Sequence, residues 1–103
     1  MELVESDAFG RWLRRLKDTK SKMRISARLL QIRRQGFLTG DVKSLGEGLM
    51  ELRFHFGPGY RVYVSQQNNT LLLLLAGGEK SSQQRDIVLA KKLLNDWRAQ
   101  HGT

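Results

Sequence analysis

Residues 50–64 read MELRFHFGPGYRVYV and carry the clearest structural pattern in the chain. Apolar residues alternate with polar ones up to Gly57-Pro58-Gly59, and the alternation resumes after this break. Because successive side chains of a strand point to opposite faces, the pattern predicts a β-hairpin with one apolar face. A slip of one residue would bury the charged set instead, so the apolar residues must share one face.

The other face of this predicted hairpin carries polar and aromatic side chains. With the turn centred on Pro58, His55 is expected opposite Arg61, and Arg53 opposite Tyr63. Two arginines, a histidine and a tyrosine on one exposed patch suit a phosphodiester and a stacked base. The same residue types are also ordinary members of the exposed face of a small sheet, so the pattern alone leaves both interpretations open.

Further strands are predicted on both sides of the hairpin. Residues 2–5 fit a short edge strand, and residues 41–45 fit another short strand before a glycine turn. Residues 71–75 are all leucine, which is typical of a central strand buried on both faces. Residues 76–80, AGGEK, are then expected to leave the sheet.

Two helices are predicted before the sheet and one after it. The first begins at residue 6 or 7 and ends near residue 18, and the second runs from residue 19 or 21 to 35, with Gly36 as its C-terminal stop. Ser81 or Ser82 caps the last helix. Its inward stripe is Ile87, Ala90, Leu94 and Trp97. These elements predict a single domain, 1–103, of the α+β class.

The second predicted helix has two apolar rows. They are Met23, Ala27 and Leu30, and Ile25, Leu29 and Ile32. A helix wedged between a sheet and another helix would have this pattern. So would a helix that offers one row to a partner protein, and the sequence leaves both possibilities open.

Positive charge is concentrated in one segment. The 103 residues include 18 Lys and Arg against 10 Asp and Glu, a net charge of +8. Residues 11–34 hold ten basic residues and one acid, a net charge of +9. Solvated helix faces would account for this excess, as would a docking surface for an acidic partner or nucleic acid.

Composition also excludes several classes of protein. With no cysteine there is neither a disulfide framework nor thiol chemistry, and two histidines make a structural zinc site an unfavoured interpretation. The first ten residues lack the pattern of a secretory signal, and the longest apolar run is too short to cross a bilayer. A cytoplasmic location is the expectation.

Two segments resemble the RelE/ParE superfamily of toxins. Residues 40–64, GDVKSLGEGLMELRFHFGPGYRVYV, and 72–90, LLLLAGGEKSSQQRDIVLA, are most similar to the HigB-like branch of addiction module killer and phage host-inhibition proteins. The resemblance covers nearly the whole chain, because FGRWLRRLKD and RISARLLQIRRQGF stand where the family has its helical pair. It implies an N-terminal two-helix hairpin packed on a small twisted, mainly antiparallel sheet with a C-terminal helix.

The resemblance also implies an activity and partners. Many members are toxins of type II toxin–antitoxin modules, and they arrest growth as endoribonucleases that cleave mRNA, often at the ribosome, without a metal or cofactor. The implied partners are mRNA, the ribosome and a cognate antitoxin, most often a helix-turn-helix protein. No membrane is implied, and DNA is reached only through the antitoxin complex.

The family motifs suggest site residues in this chain. Arg61 resembles the phosphate-stabilising arginine, and Lys80 stands where the family has a basic residue after the central strand. Arg53 is a further basic candidate, and His55 is the candidate for proton transfer, because the last helix has neither Tyr nor His before His101 in an expected frayed tail. The RNA-binding candidates are Lys43, Tyr63, Tyr60, Gln83 and Asp86, with Tyr60 pointing towards the core. The basic segment suggests antitoxin-binding candidates Arg11, Arg14, Arg15, Lys17 and Arg28.

Two other functions remain open at this stage. ParE-like members of the superfamily bind DNA gyrase and are not nucleases, and phage-type members are host-interaction proteins without catalysis. The basic residues Arg53, Arg61 and Lys80 favour RNA, because a gyrase inhibitor has no need of a phosphate-stabilising cluster.

Overall fold

A five-stranded mixed sheet forms the middle layer of the protein, in a computed structural model that describes residues 1–102. The strands are β1 (Glu2–Glu5), β2 (Asp41–Gly46), β3 (Leu49–Arg53), β4 (Tyr60–Gln67) and β5 (Leu71–Glu79). The helices are α1 (Asp7–Arg15), α2 (Thr19–Gln35) and α3 (Gln83–His101), and a single 3-10 turn, Lys80–Ser82, precedes α3. This confirms the predicted α+β class.

The spatial order of the strands is β1-β5-β4-β3-β2. β1 pairs with β5 in parallel, and the other neighbouring strands are antiparallel. β1 is therefore an edge strand, as predicted, while β5 lies inside the sheet and is largely buried. Ser6 ends β1 and caps α1, because its Oγ accepts a hydrogen bond from the Phe9 amide at 3.0 Å and donates one to the Leu75 carbonyl at 2.5 Å.

The two faces of the sheet are covered by different helices. Phe9 of α1 and Ile25, Leu29 and Ile32 of α2 pack with one set of strand residues, which includes Val62. Ala90 and Leu94 of α3 pack on the other face; the strand residues there include Leu49, Tyr63, Leu73 and Leu75. The sheet is therefore sandwiched between helices, and both of its faces are interior.

The second helix has the ends that its sequence predicts. Asp18 caps it by accepting hydrogen bonds from the amide and the hydroxyl of Ser21, at 3.1 and 2.7 Å. These bonds hold the pKa of the Asp18 carboxyl below its usual value. Gly36 ends the helix in the left-handed conformation with φ of 86°, which glycine adopts without steric strain.

The strand β5 is longer than predicted. The expectation that residues 76–80 leave the sheet is wrong, since β5 continues to Glu79 and pairs with β4 up to Tyr60. Gly77 and Gly78 stay in the strand because side chains from both layers pack directly on them. A Cβ at Gly77 would overlap the ring of Trp12, and one at Gly78 would overlap the carboxylate of Asp86. These glycines therefore mark close packing on the strand.

Candidate active site

Three strands, β2, β3 and β4, bring charged side chains together on the α3 side of the sheet. In one cross-strand row Asp41 pairs with Arg53, Arg53 with Arg61, and Arg61 with Gly78. In the next row Lys43 pairs with Glu51, and Glu51 with Tyr63. Side chains of directly paired residues point to the same face, so both rows lie on the face that α3 covers.

The predicted register of the hairpin is wrong by two residues. Arg53 lies opposite Arg61 instead of Tyr63, and Tyr63 lies opposite Glu51. The reason is the length of the turn: β3 ends at Arg53, and the backbone closes again where the Phe54 amide donates to the Tyr60 carbonyl at 2.9 Å. The turn is therefore centred on residue 57, and His55 lies within it instead of in a paired strand.

The predicted exposure of this face is also wrong. α3 packs over it, so the side chains of Glu51 and Tyr63 are fully buried and Arg61 is 7% exposed. Tyr60 is buried too, on the other face, where its ring contacts the rings of Trp12 and Phe56. The sequence predicted this inward position of Tyr60. With both tyrosine rings buried, the expected exposed surface for a stacked base is not present on these strands.

Glu51 is the acid at the centre of the buried cluster. Its Oε1 lies 3.9 Å from Nε of Arg61, and its Oε2 accepts a hydrogen bond from Nε2 of Gln83 at 2.6 Å. In the sequence Glu51 is one polar position of the alternation, and the predicted site residues did not include it. The signal was present, because an acid shares a strand face with a cross-strand arginine here, and a buried arginine needs a counter-charge.

Several buried polar atoms of the cluster lack a hydrogen-bond partner among the described residues. They are Nε and Nη1 of Arg61, Nε of Arg53, Oε1 of Glu51 and the hydroxyl of Tyr63. Burial raises the pKa of the Tyr63 phenol, and the neighbouring charges of Glu51 and Asp86 raise it further. The phenol therefore stays protonated at neutral pH and can act as a hydrogen-bond donor. Because these atoms are buried, a bound group could accept hydrogen bonds from them only after the residues that cover the cluster move aside.

A groove lies beside this cluster at the amino end of α3. Its volume is about 720 Å³ and its lining residues are Lys80, Ser81, Ser82, Gln83, Gln84 and Arg85. Gly59 lies between the groove and Arg61. A Cβ atom at Gly59 would be 3.3 Å from Cβ of Lys80, which lines the groove, and 3.9 Å from Nη1 of Arg61. Gln83 makes a second connection through Glu51. Arg61, Lys80 and Gln83, all predicted site residues, are therefore close neighbours.

His55 belongs to a different pair from the predicted one. Its Nε2 lies 2.5 Å from Oδ2 of Asp41, and Oδ1 of Asp41 accepts a hydrogen bond from Nη2 of Arg53 at 2.9 Å. The imidazole is 68% exposed. The hydrogen bond from Arg53, and after it the one with His55, holds the pKa of the Asp41 carboxyl below its usual value. The hydrogen bond with Asp41 also raises the pKa of Arg53. Asp41 thus links His55 to the row that contains Arg61.

This arrangement predicts a pH-dependent effect of Asp41→Asn. Because the folded-state pKa of Asp41 is lowered, its contribution to stability is present above the unfolded-state pKa of about 4 and is lost as the pH falls through the folded-state value. We expect the wild type to unfold at higher urea than Asp41→Asn at pH 7, with a difference that shrinks steadily in more acidic buffers. In an Arg53→Gln, His55→Gln background the difference should no longer vary with pH. A difference that is constant with pH in the wild-type background would contradict the assignment.

The remaining RNA-binding candidates have distinct environments. Lys43 is exposed on the edge strand β2. Asp86 is buried at the start of α3, where its Oδ2 accepts a hydrogen bond from the Ser82 hydroxyl at 2.6 Å. The Asp86 carboxylate therefore has a structural partner in the 3-10 turn that precedes α3. His101 is part of α3 instead of a frayed tail, and its ring stacks on Trp97 with 4.0 Å between centroids.

The predicted antitoxin-binding residues lie in the helical layer formed by α1 and α2, on the other face of the sheet from the cluster. The exposed members are Arg11, Arg14, Arg15 and Lys17. Arg28 is half-buried, and its Nη1 donates a hydrogen bond to the Thr39 carbonyl at 3.3 Å. This arginine therefore tethers the segment that connects α2 to β2.

Among residues 1–102, no group of three or more His, Asp or Glu side chains is placed to hold a metal ion. No helix in this range combines the length and the apolar character needed to cross a membrane.

A comparison with known proteins places this chain in a family with a bacterial relative. The chain is 44% identical over 88 residues to a protein of Haemophilus influenzae that is described as uncharacterized, and the match covers 85% of this chain and 87% of the relative. Neither a family model nor a solved structure matches the chain. At this identity and coverage, the chain belongs to the same family as the Haemophilus influenzae protein.

Proposed function

We propose that this protein is the toxin of a type II toxin–antitoxin module and a metal-independent endoribonuclease that cleaves mRNA at the ribosome. One observation carries the proposal: Arg61 is held under α3 beside Glu51, with two unpartnered N–H donors next to the Lys80 groove. When the residues that cover it move aside, a guanidinium with unpartnered donors and a nearby ammonium can bind a phosphate and neutralise the charge that develops on it.

The proposal includes membership of the RelE/ParE superfamily, in its HigB-like branch. In that case α1 and α2 are the family's two-helix hairpin, packed on the sheet. The order of the motifs in residues 40–90 supports this assignment. The position of Arg61 also supports it, because Arg61 pairs with Gly78, two residues before the 3-10 turn that begins at Lys80. The proposed partners are mRNA, the ribosome and a cognate antitoxin of the helix-turn-helix class, with DNA contacted through the antitoxin complex.

The proposed reaction uses the 2′-hydroxyl of the RNA as nucleophile against the adjacent phosphate. The bond from the 2′-oxygen to phosphorus forms as the bond from phosphorus to the 5′-oxygen breaks, which leaves a 2′,3′-cyclic phosphate and a 5′-hydroxyl. The 2′-hydroxyl loses one proton and the leaving 5′-oxygen gains one; one of these transfers uses His55 and the other uses solvent. Arg61 and Lys80 stabilise the negative charge on the phosphate oxygens. His55 accepts or donates the proton, and Asp41, 2.5 Å from its Nε2, orients the imidazole so that Nδ1 is the reacting nitrogen. The proposed reaction uses no cofactor: Arg61 and Lys80 supply the positive charge, and His55 supplies proton transfer.

Lys80→Ala tests this proposal with little risk to the fold, because Lys80 is exposed. After induction in growing cells, incorporation of labelled methionine and of labelled thymidine is followed in parallel. We expect the wild type to stop protein synthesis first, and Lys80→Ala to lower the rate of mRNA cleavage, mapped by primer extension, by about 100-fold. Lys91→Ala, which removes an exposed lysine of α3 outside the groove, is the matched control and should keep full activity.

The same experiment separates the proposal from the gyrase alternative. An early stop of DNA synthesis while translation continues would overturn the nuclease assignment and favour a ParE-like inhibitor of gyrase. Growth arrest that is unchanged in Lys80→Ala, with unchanged cleavage sites, would remove the groove from the reaction.

A further inference from the structure

Only one of the two apolar rows of α2 is buried in the protein. Ile25, Leu29 and Ile32 pack against the sheet. The other row is solvent-exposed: Met23 is 66% and Leu30 42% exposed, and Ala27 between them is also exposed. The second row therefore has no partner among the described residues of the chain.

Basic side chains surround this exposed row. Lys20, Arg24, Arg33 and Arg34 are all exposed on α2, and Thr19–Gln35 contains no acidic residue. At 100° per residue, Lys20 and Arg24 lie on one side of the row, Arg33 lies on the other, and Arg34 continues its line. The face is therefore an apolar strip within a positive border.

Two recesses that a partner side chain can enter lie beside this apolar strip. A groove of about 250 Å³ runs along one side of Leu30, between α2 and the neighbouring residues of α1 and β1. Its lining includes Leu3, Leu13, Arg33 and one acid, Glu5 of β1. On the other side of Leu30 a second recess is lined by Ala27, Leu30, Gln31, Arg34 and Gln35. Leu30 thus stands as a ridge between two grooves, the form that helix–helix packing requires.

We propose that this face of α2 is the docking site for an acidic amphipathic helix of a partner protein. An apolar strip bordered by positive charge complements a helix that has an apolar stripe bordered by Asp and Glu. A second copy of this chain would bring another positive border against the first, so self-association through this face is opposed by charge. Nucleic acid would use the charges but not the apolar row. The inference does not depend on the proposed nuclease activity.

The docking site lies across the sheet from the candidate active site. Met23 to Leu30 spans about 10 Å at 1.5 Å per residue, so a partner helix of about three turns covers the row. Such a partner would leave the Lys80 groove open, because α3 and its groove are on the other face. It could therefore remain bound while the groove is occupied.

The test uses a designed probe of stated chemistry and the full chain. A fluorescein-labelled helical peptide of about eighteen residues, with leucines on one face and glutamates elsewhere, is titrated and its anisotropy recorded. Met23→Ser combined with Leu30→Ser should weaken binding by about tenfold or more without altering charge. Val88→Ser, at a residue 69% exposed on α3, is the matched apolar control and should leave the affinity within about twofold.

Further probes distinguish the alternative occupants. A peptide of the same composition whose leucines are spread around the helix should bind at least about tenfold more weakly. Equal binding of the two peptides, or equal loss with Val88→Ser, would overturn the proposal, since only charge would then be recognised. Single-stranded RNA that displaces the peptide and binds as tightly to the double-serine variant would assign the face to nucleic acid. Concentration-dependent dimers that the serine substitutions abolish would assign it to self-association.

Discussion

Gly77→Ala is expected to destabilise the protein by about 3 kcal/mol, because a methyl group at this position would overlap the ring of Trp12. The indole ring cannot easily yield, since it packs between the rings of Phe9 and Tyr60 with centroids 5.9 and 6.2 Å away. Residue 77 is also paired with Val62 in the interior of the sheet, so the backbone of β5 cannot move away from Trp12 without breaking this pairing. Urea unfolding followed by circular dichroism measures the loss.

A matched substitution and a rescue make this result specific. Gly10→Ala is the control, because a Cβ there would meet only the ends of the Arg14 and Glu5 side chains, at 3.1 and 3.2 Å, and helix propensity favours alanine. In a Trp12→Ala background, Gly77→Ala should lower stability by less than about 1 kcal/mol, since the ring that it overlaps is gone. An unchanged loss in that background would mean that backbone strain, and not the indole, excludes a side chain.

Glu51→Ala is expected to destabilise the protein by about 3 kcal/mol or more, because it leaves the Arg61 guanidinium buried without its counter-charge. The substitution also removes the acceptor of the Gln83 amide. Glu2→Ala, at an exposed acid of the edge strand β1, should change stability by less than about 0.5 kcal/mol. A loss for Glu51→Ala as small as that of Glu2→Ala would show that Arg61 is stabilised by other groups.

Replacing both partners separates the structural role of this pair from its proposed chemistry. Glu51→Met combined with Arg61→Met should recover most of the loss, because apolar side chains of similar size can fill the space of a buried ion pair without a charge to compensate. The double variant should be folded but unable to arrest growth. A folded double variant that arrests growth fully would exclude Arg61 from the reaction.

The sequence predicts the helices of this protein better than the pairing of its strands. Ser6 and Gly36 are local signals, and each lies at the helix end that was predicted for it. The first helix ends at Arg15 instead of near residue 18, because Asp18 caps α2. Hairpin register depends instead on the number of residues that a turn takes up, and Gly57-Pro58-Gly59 does not specify this number. The continuation of β5 through Gly77 also depends on a distant residue, Trp12. The alternation of apolar and polar residues in β3 and β4 does not indicate whether a helix covers the polar face of these strands.

The candidate site was predicted in part for similar reasons. Arg61, Lys80 and Gln83 follow from a motif that is continuous in sequence, and the structure brings them together. Glu51 and Asp41 have no such motif, and they become site residues only through the register of β2, β3 and β4. The burial of Tyr63 depends on α3, which begins twenty residues later in the chain.

The parallel pairing of β1 with β5 has a consequence for how this chain is made. β1 is synthesised before the other strands of the sheet, yet its partner strand, and the Leu75 carbonyl that accepts the hydrogen bond of the Ser6 hydroxyl, lie 69 residues further along. Contacts so distant in sequence close late, because the intervening loop must first lose its conformational freedom. α3, which buries Arg61, is synthesised later still. A growing chain therefore cannot bury the Glu51–Arg61 cluster before α3 has been synthesised.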